Sequence, residues 1–321
     1  MSFEFRIEEA QAEPKPMRAL VVGGSGQIGG WLLRFLEARG HRAEGTYSTR
    51  EFPGLVPFDA SDREGVKALL RRLQPDVVFY PAGFTWVDGC ERDRERAYAA
   101  NLHEPLFVAE AAADGGARFI YFSTDYVFDG AAGPYAEDAP TNPLSVYGQA
   151  KCDAEAALAE RLKDRGLIVR TSWVFGPERQ GKNFAYQLVR GLGQGKTIPC
   201  PVDLVSNPSY GPDVARTVVE LAERNASGLI HVVGPDVVDR VAFATAIARE
   251  FGQDESRIER RTNEELGLVA ARPLKSGLRI DRLEAALPGR MRSLEDSLRD
   301  FRERLEDPAL AGWVEPILPS R

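Results

Sequence analysis

The feature that most limits what this chain can fold into is the regular exchange of short apolar runs with amphipathic ones from Met17 onward. "RALVVGG" leads into "QIGGWLLRFLEARG", then "HRAEGTY", "DREGVKALLRRLQ" and "DVVFYPAG". Short apolar runs bounded by glycine or proline read as buried strands, whereas the longer stretches keep their apolar residues at helical spacing. The exchange continues through "RERAYAANLHEPLFVAEAAADGG", "RFIYFSTDY", "AKCDAEAALAERLKDRG" and "LIVRTSWVFG". This predicts an α/β fold, a doubly wound parallel sheet with helices on both faces. Such sheets bind ligands beyond the carboxyl ends of their strands, so chemistry is expected where strands stop and loops begin.

"ALVVGGSGQIGGWLL" sets Gly23, Gly26 and Gly29, with Gln27 and Ile28 between them, directly between the first strand and the first helix. Glycine permits the tight turn and the close approach of a pyrophosphate, and the free N–H groups of the helix start stabilise its charge. An ordinary glycine-rich turn is the competing reading; a strand before and a helix after favour the nucleotide cradle. At the end of the second strand, "EGTYSTR", an acid would accept hydrogen bonds from the ribose of NAD. Glu44 falls too early and Tyr47 takes the place of that acid. Arg50, with Thr46 and Ser48 nearby, would instead receive a 2′-phosphate through charge-assisted hydrogen bonds, unless it is a solvated loop charge. NADPH is therefore the expected cofactor, with NADH second. Asp59, in "FDASD", is placed to accept from the adenine amino group.

"SVYGQAK" puts Tyr147 and Lys151 four residues apart, side by side on one helical face. An ammonium beside a phenol is expected to bring the tyrosine from its ordinary pKa of about 10 toward neutrality, where it would exchange protons at working pH. Just upstream, "FIYFSTDYVF" ends a strand on Ser123 and Thr124, whose hydroxyl would hold a carbonyl oxygen. Tyrosine and lysine at this spacing are a common coincidence. Their order after the glycine loop and the strand-end hydroxyl is what makes them a site.

On these stretches the chain resembles the extended short-chain dehydrogenase/reductases, and within them the dTDP-4-dehydrorhamnose reductases. "GGSGQIG", "STDYVFDG", "PYAEDAPTNPLSVYGQAKCDAE", "RTSWVFG" followed by "NF", and "RPLKSGLRIDRL" carry the likeness. The resemblance implies Thr124, Tyr147 and Lys151 as the catalytic trio and reduction of the C4 ketone of a nucleotide-linked 4-keto-6-deoxy sugar. It also implies substrate contacts from Tyr126, Trp173 and Asn183, small residues beside the cofactor at Ala82 and Gly83, and leaves a homodimer open as the assembly. Two departures stand out. Tyr80-Pro81-Ala82-Gly83 replaces a run of small residues, so Tyr80 and Trp86 are expected to reshape the pocket floor. "VDLVSNPSYGPDVA" looks closer to other extended reductases and to the regulatory beta subunit of methionine adenosyltransferase. An epimerase of the same fold and a nucleotide-binding regulatory subunit are thus the alternatives.

Pro14 and Pro16 interrupt regular structure, so residues 1–16 read as an extension outside the fold. Residues 17–174 are expected to form the NAD(P)-binding Rossmann domain. Beyond them the alternation loosens and prolines gather in "IPCPVDLVSNPSYGP"; residues 175–321 read as a smaller, partly interleaved substrate lobe that returns segments to the first domain. A net charge of −7 with mixed signs offers no stripe for nucleic acid. No apolar run approaches the ~20 residues that would cross a bilayer, and three scattered cysteines suit a reducing cytoplasm. His41, His103 and His231 lie at no metal-ligand spacing, so no metal is expected. Asp125, Asp129, Glu137 and Asp138 are read as turn formers. Trp173 is either core or a stacking platform, and Arg272 either pairs with a substrate diphosphate or is a surface charge.

Overall fold

The computed structural model describes residues 3–9 and 15–317. Its first half runs β1 (Arg18–Val21), α1 (Gln27–Ala38), β2 (Arg42–Tyr47), β3 (Leu55–Pro57), α2 (Arg63–Leu73) and β4 (Val77–Tyr80). There follow α3 (Val87–Arg92), α4 (Arg94–Tyr98), α5 (Glu104–Asp114), β5 (Arg118–Thr124), α6 (Val146–Leu162) and β6 (Gly166–Thr171). The second half contains β7 (Val174–Phe175), α7 (Phe184–Gly193), β8 (Ile198–Pro201), β9 (Val205–Ser206), β10 (Ser209–Tyr210), α8 (Gly211–Glu223) and β11 (Gly228–His231). It ends with β12 (Val238–Asp239), α9 (Arg240–Glu250), β13 (Ile258–Arg261), α10 (Asp281–Ala286) and α11 (Leu294–Glu306).

Seven strands form one sheet in the order β11-β6-β5-β4-β1-β2-β3, every neighbouring pair parallel. The order reverses between β1 and β4, which opens a crevice at their carboxyl ends. Strand alternation divides the core. Val21, Phe79 and Ile120 pack beneath α1 and α8, while Leu20, Val78, Tyr80 and Phe119 pack beneath α2, α5 and α6. Tyr80 therefore points into the core, 1% exposed and 5.7 Å from the Phe119 ring. The expectation that it reshapes the pocket floor is corrected: the pleat turns it to the helix-covered face. Trp86 lies largely exposed, under the Arg92 guanidinium.

The second lobe has its own core, in which Leu188, Phe243, Ile247 and Phe301 of α7, α9 and α11 meet. Three two-stranded ribbons, β7 with β10, β9 with β12 and β8 with β13, surround it. β11 joins the main sheet beside β6, and α8 packs on its core.

Two local readings change. The segment 94–114 is not one helix; residues Ala99–His103 form a π-helical turn between α4 and α5. Part of the extension also belongs to the fold. Phe3, Phe5 and Ile7 pack on the core clusters, and Arg6 exchanges backbone bonds of 3.0 and 2.9 Å with Ser227, beside β11. "FEFRI" alternates every second residue, a strand signal that the prolines downstream outweighed in the sequence reading. It covers an edge that would otherwise be open to another chain. Replacing Phe5 with Ser is expected to cost about 1–2 kcal/mol, read as a lower urea midpoint; an unchanged midpoint would show that the segment does not pack.

Candidate active site

The crevice at the strand ends is about 670 Å³, a size suited to a cofactor and a small substrate. Gly23, Gly26, Gln27, Ile28, Gly29, Ala82, Gly83, Thr124, Tyr126, Tyr147, Lys151, Trp173 and Asn183 all line it. Arg50, Asp59 and Arg272 do not. A groove of about 840 Å³ at the opposite end of the sheet holds none of these residues, and its Arg18 is already paired with Asp76 at 2.9 Å.

At the glycine loop, Gly23 takes a φ of +92°, and a Cβ on Gly29 would stand 2.1 Å from the Gly23 carbonyl oxygen. Only bare backbone lets the helix start so close to the turn. No side chain caps α1 and no acid occupies its first turn, so its positive end opens on the cleft. Gln27 Nε2, Ser123 Oγ and Thr171 Oγ1 are buried without partners along the same cleft. Uncapped donors, a cradle only glycine fits and orphaned polar atoms together match the demands of a dinucleotide.

Two contacts set the trio. Ser145 caps α6 through Gly148 N at 3.2 Å, and a Cβ on Gly148 would lie 2.2 Å from the Tyr126 carbonyl oxygen. The first turn of α6 is thus pressed onto the segment that follows Thr124, which brings Tyr147 against Thr124 and Tyr126; the two tyrosine rings meet edge to face at 5.7 Å. Thr124 Oγ1 accepts from Tyr126 N at 3.2 Å and donates to Asp125 at 3.1 Å. Lys151 Nζ donates to the Phe122 carbonyl at 2.8 Å and sits 4.3 Å over the Tyr121 ring.

These surroundings reverse the expected titration. Burial raises the Tyr147 phenol well above its ordinary value, and burial pushes Lys151 down to about 7. Dehydration of each charged form dominates, and Lys151 spends its hydrogen bond on a backbone carbonyl rather than on the phenol. Tyr147 consequently rests as the neutral acid.

Asp125 opens a 3₁₀ turn, Asp125–Val127, but its side chain is turned away to other partners. It is 1% exposed, accepts from Ser206 Oγ at 2.8 Å and from Ser276 Oγ as well as from Thr124, and so ties the end of β5 to β9 and to the segment before α10. Burial raises its pKa. Asp129 does serve the turn, accepting from Ala131 N, Tyr135 and Asn142, bonds that hold it down at about 2. Glu137 is instead a buried acceptor for His231 N at 3.2 Å. Asn183 caps α7 and donates to Gly176 O and Glu178, so its polar atoms already have protein partners. Arg272 is paired with Asp88 at 3.1 Å. Asp59 accepts from both the N–H and the hydroxyl of Ser61.

The sequence reading missed Asn101. Lodged in the π-helical turn and fully buried, it grips the loop after β4 in both directions, accepting from Phe84 N at 3.1 Å and donating to Phe84 O at 3.0 Å. Its carbonyl accepts from Tyr121 OH at 2.7 Å, beneath Lys151. Such turns gather at functional sites, but the only local signal here was Pro105 inside a helical pattern. Trp173 is the other surprise: it has a φ of +38°, a strained conformation for a bulky residue, with the Arg240 guanidinium 3.5 Å above its ring.

With this geometry in hand, the likeness to known proteins becomes specific. The RmlD substrate binding domain family matches residues 17–306. The chain belongs to this family. A probable low-salt glycan biosynthesis reductase of Haloferax volcanii is 34% identical over 91% of the chain and 99% of its own length. A dTDP-4-dehydrorhamnose reductase of Streptomyces griseus is 34% identical over 93% of the chain and 95% of its length. The crystal structure of a dTDP-4-dehydrorhamnose reductase from Bacillus anthracis in complex with NADP superposes with a TM-score of 0.82, at 27% identity over 90% of this chain and 99% of that one. Among the described residues no helix is long and apolar enough to cross a membrane, and no group of three or more potential ligands converges on a metal position.

The Lys151 titration is directly measurable. Its Cε resonance is expected to titrate near pH 7 in the free protein, and its depressed value makes this group's contribution to stability rise with pH between about 7 and 10.5, where the unfolded chain binds the extra proton. A midpoint near that of solvent lysines would show that water reaches Nζ.

Proposed function

We propose that the protein is an NADPH-dependent reductase of the C4 ketone of a nucleotide-linked 4-keto-6-deoxy sugar. The observation that carries this reading is a buried, neutral Tyr147 beside Thr124, at the end of a cleft whose far side is the uncapped start of α1. Gly23, Gly26 and Gly29 with the first N–H groups of α1 would hold the pyrophosphate; Ala82 and Gly83 leave room beside it. When bound, the reduced nicotinamide would supply the hydride for C4.

The chain's own residues then handle position and proton. Tyr147, kept protonated by burial, gives its phenolic proton to the C4 oxygen as negative charge develops there. Thr124 aligns that oxygen by turning its hydroxyl from Asp125 toward the ketone; Asp125 keeps its bonds to Ser206 and Ser276 while this happens. Lys151, in its protonated form, would steady the phenolate left behind and would bond the cofactor's ribose. Tyr126 and Trp173 bound the remaining space, where the sugar nucleotide would lie. In this arrangement residues 17–174 carry the cofactor and most of 175–321 shapes the substrate side.

The experiment is NADPH oxidation against a panel of dTDP-, UDP-, GDP- and CDP-linked 4-keto-6-deoxy sugars. Turnover with at least one is expected, and Tyr147→Phe should lower kcat by about 10²- to 10⁴-fold with cofactor affinity retained. A panel inert throughout, with NADPH still bound, would replace this reading with that of a nucleotide-binding regulatory subunit.

A further inference from the structure

Beside the glycine loop lies a ladder of cations and aromatic rings drawn from four separate segments. Arg34 of α1 stands 4.9 Å over the Trp313 ring, and Arg179 approaches the same ring at 5.3 Å. Arg179 is also 5.8 Å from the Phe52 ring, which Arg50 faces at 5.3 Å. None of the three arginines makes an ion pair or a side-chain hydrogen bond among the described residues, whereas nearby Arg190 and Arg304 are paired with Glu315 and Asp300. Glu178, next to Arg179, is committed to the backbone of Lys182 and Asn183. The Nε of Arg179 is buried with no partner at all. Burial, then the like charge of Arg34, holds this guanidinium below its ordinary value. Arg34 and Arg179 are half-buried neighbours left without an anion, which carries a cost that a bound anion would relieve; Arg50 lies exposed at the mouth of the same ladder.

Their place in the fold says which anion. Ser48 and Thr49, immediately before Arg50, line the cleft at the carboxyl end of β2, the strand end that takes the adenosine ribose when a pyrophosphate sits on the loop before α1. Gln180, immediately after Arg179, donates to Ser25 O of the glycine loop at 2.8 Å. Trp313 rests on the first turns of α1, its ring 3.1 Å from where a Cβ on Gly30 would stand.

We propose that Arg34, Arg50 and Arg179, spaced by Phe52 and Trp313, form a site for a phosphate monoester, the 2′-phosphate of the dinucleotide, and that the second lobe thereby takes part in choosing NADPH over NADH. The inference rests on the dinucleotide reading of the glycine loop. It adds to Arg50 two residues that lie far from it in the sequence, one of them on the segment that leads into α7.

Dissociation constants for NADPH, NADH, 2′,5′-ADP and 5′-AMP test it on the intact chain. Arg179→Leu is expected to weaken NADPH and 2′,5′-ADP by about ten- to a hundredfold, leaving NADH and 5′-AMP within about twofold. Arg34→Leu should act in the same direction, and Arg179→Lys should recover part of the loss. Retained NADH binding serves as the check that each variant folds. NADPH bound equally by the wild type and Arg179→Leu, or NADH weakened by the same factor, would overturn the phosphate site alone. A wild-type chain that bound neither dinucleotide would remove the reading of the glycine loop, and this site with it.

Discussion

The contact on which the site depends is the pressing of the first turn of α6 onto the Tyr126 carbonyl, where Gly148 has no side chain to hold the helix away. That approach buries Tyr147 and Lys151 together. Burial, more than the charge of one acting on the other, then sets what each can do: the phenol keeps its proton and the amine yields its own readily. For a reaction that must deliver a proton to a developing alkoxide, an acid held neutral is the serviceable form. Any change that admits water to this face would restore ordinary titration and remove that advantage.

A second constraint joins the two lobes. Asp125 receives hydroxyls from Thr124, Ser206 and Ser276, so a group at the end of β5 is held by residues from β9 and from the segment before α10. A buried carboxylate with several donors is stable only while all of them stay in register. The placement of Thr124 is therefore tied to closure of the second lobe against the sheet. Gln180 makes a similar link to the glycine loop through Ser25, and the strained Trp173 sits where the two lobes meet. The end of β5 and the glycine loop are thus both held from the second half of the chain.

Much of this was legible in the chain. Apolar runs separated by helical stretches specify a parallel sheet because each strand must be buried on both faces, and the observed β11-β6-β5-β4-β1-β2-β3 order follows that pattern. Gly23, Gly26, Gly29, Thr124, Tyr147 and Lys151 were marked by spacing and position, since they lie within or directly beside regular elements whose periodicity fixes side-chain direction. Asn101 was hidden because a π-helical turn shifts the helical register by one residue, which no helical repeat anticipates. The strand-like "FEFRI" was hidden by the prolines after it. Tyr80 was misjudged because the pleat, not the residue type, decides which face receives a side chain.

The sequence alone determined the fold class and marked the glycine loop, Thr124, Tyr147 and Lys151 as the candidates that the structure brings to one cleft, for these rest on local spacing and on the order of elements along the chain. Only the tertiary structure decided how those groups titrate, which carboxylate holds Thr124, and which arginines gather beside the glycine loop. Solvation and long-range pairing depend on what lies within a few ångströms in space. Residues 34, 50, 179 and 313 become neighbours only after the sheet and the second lobe have closed on one another.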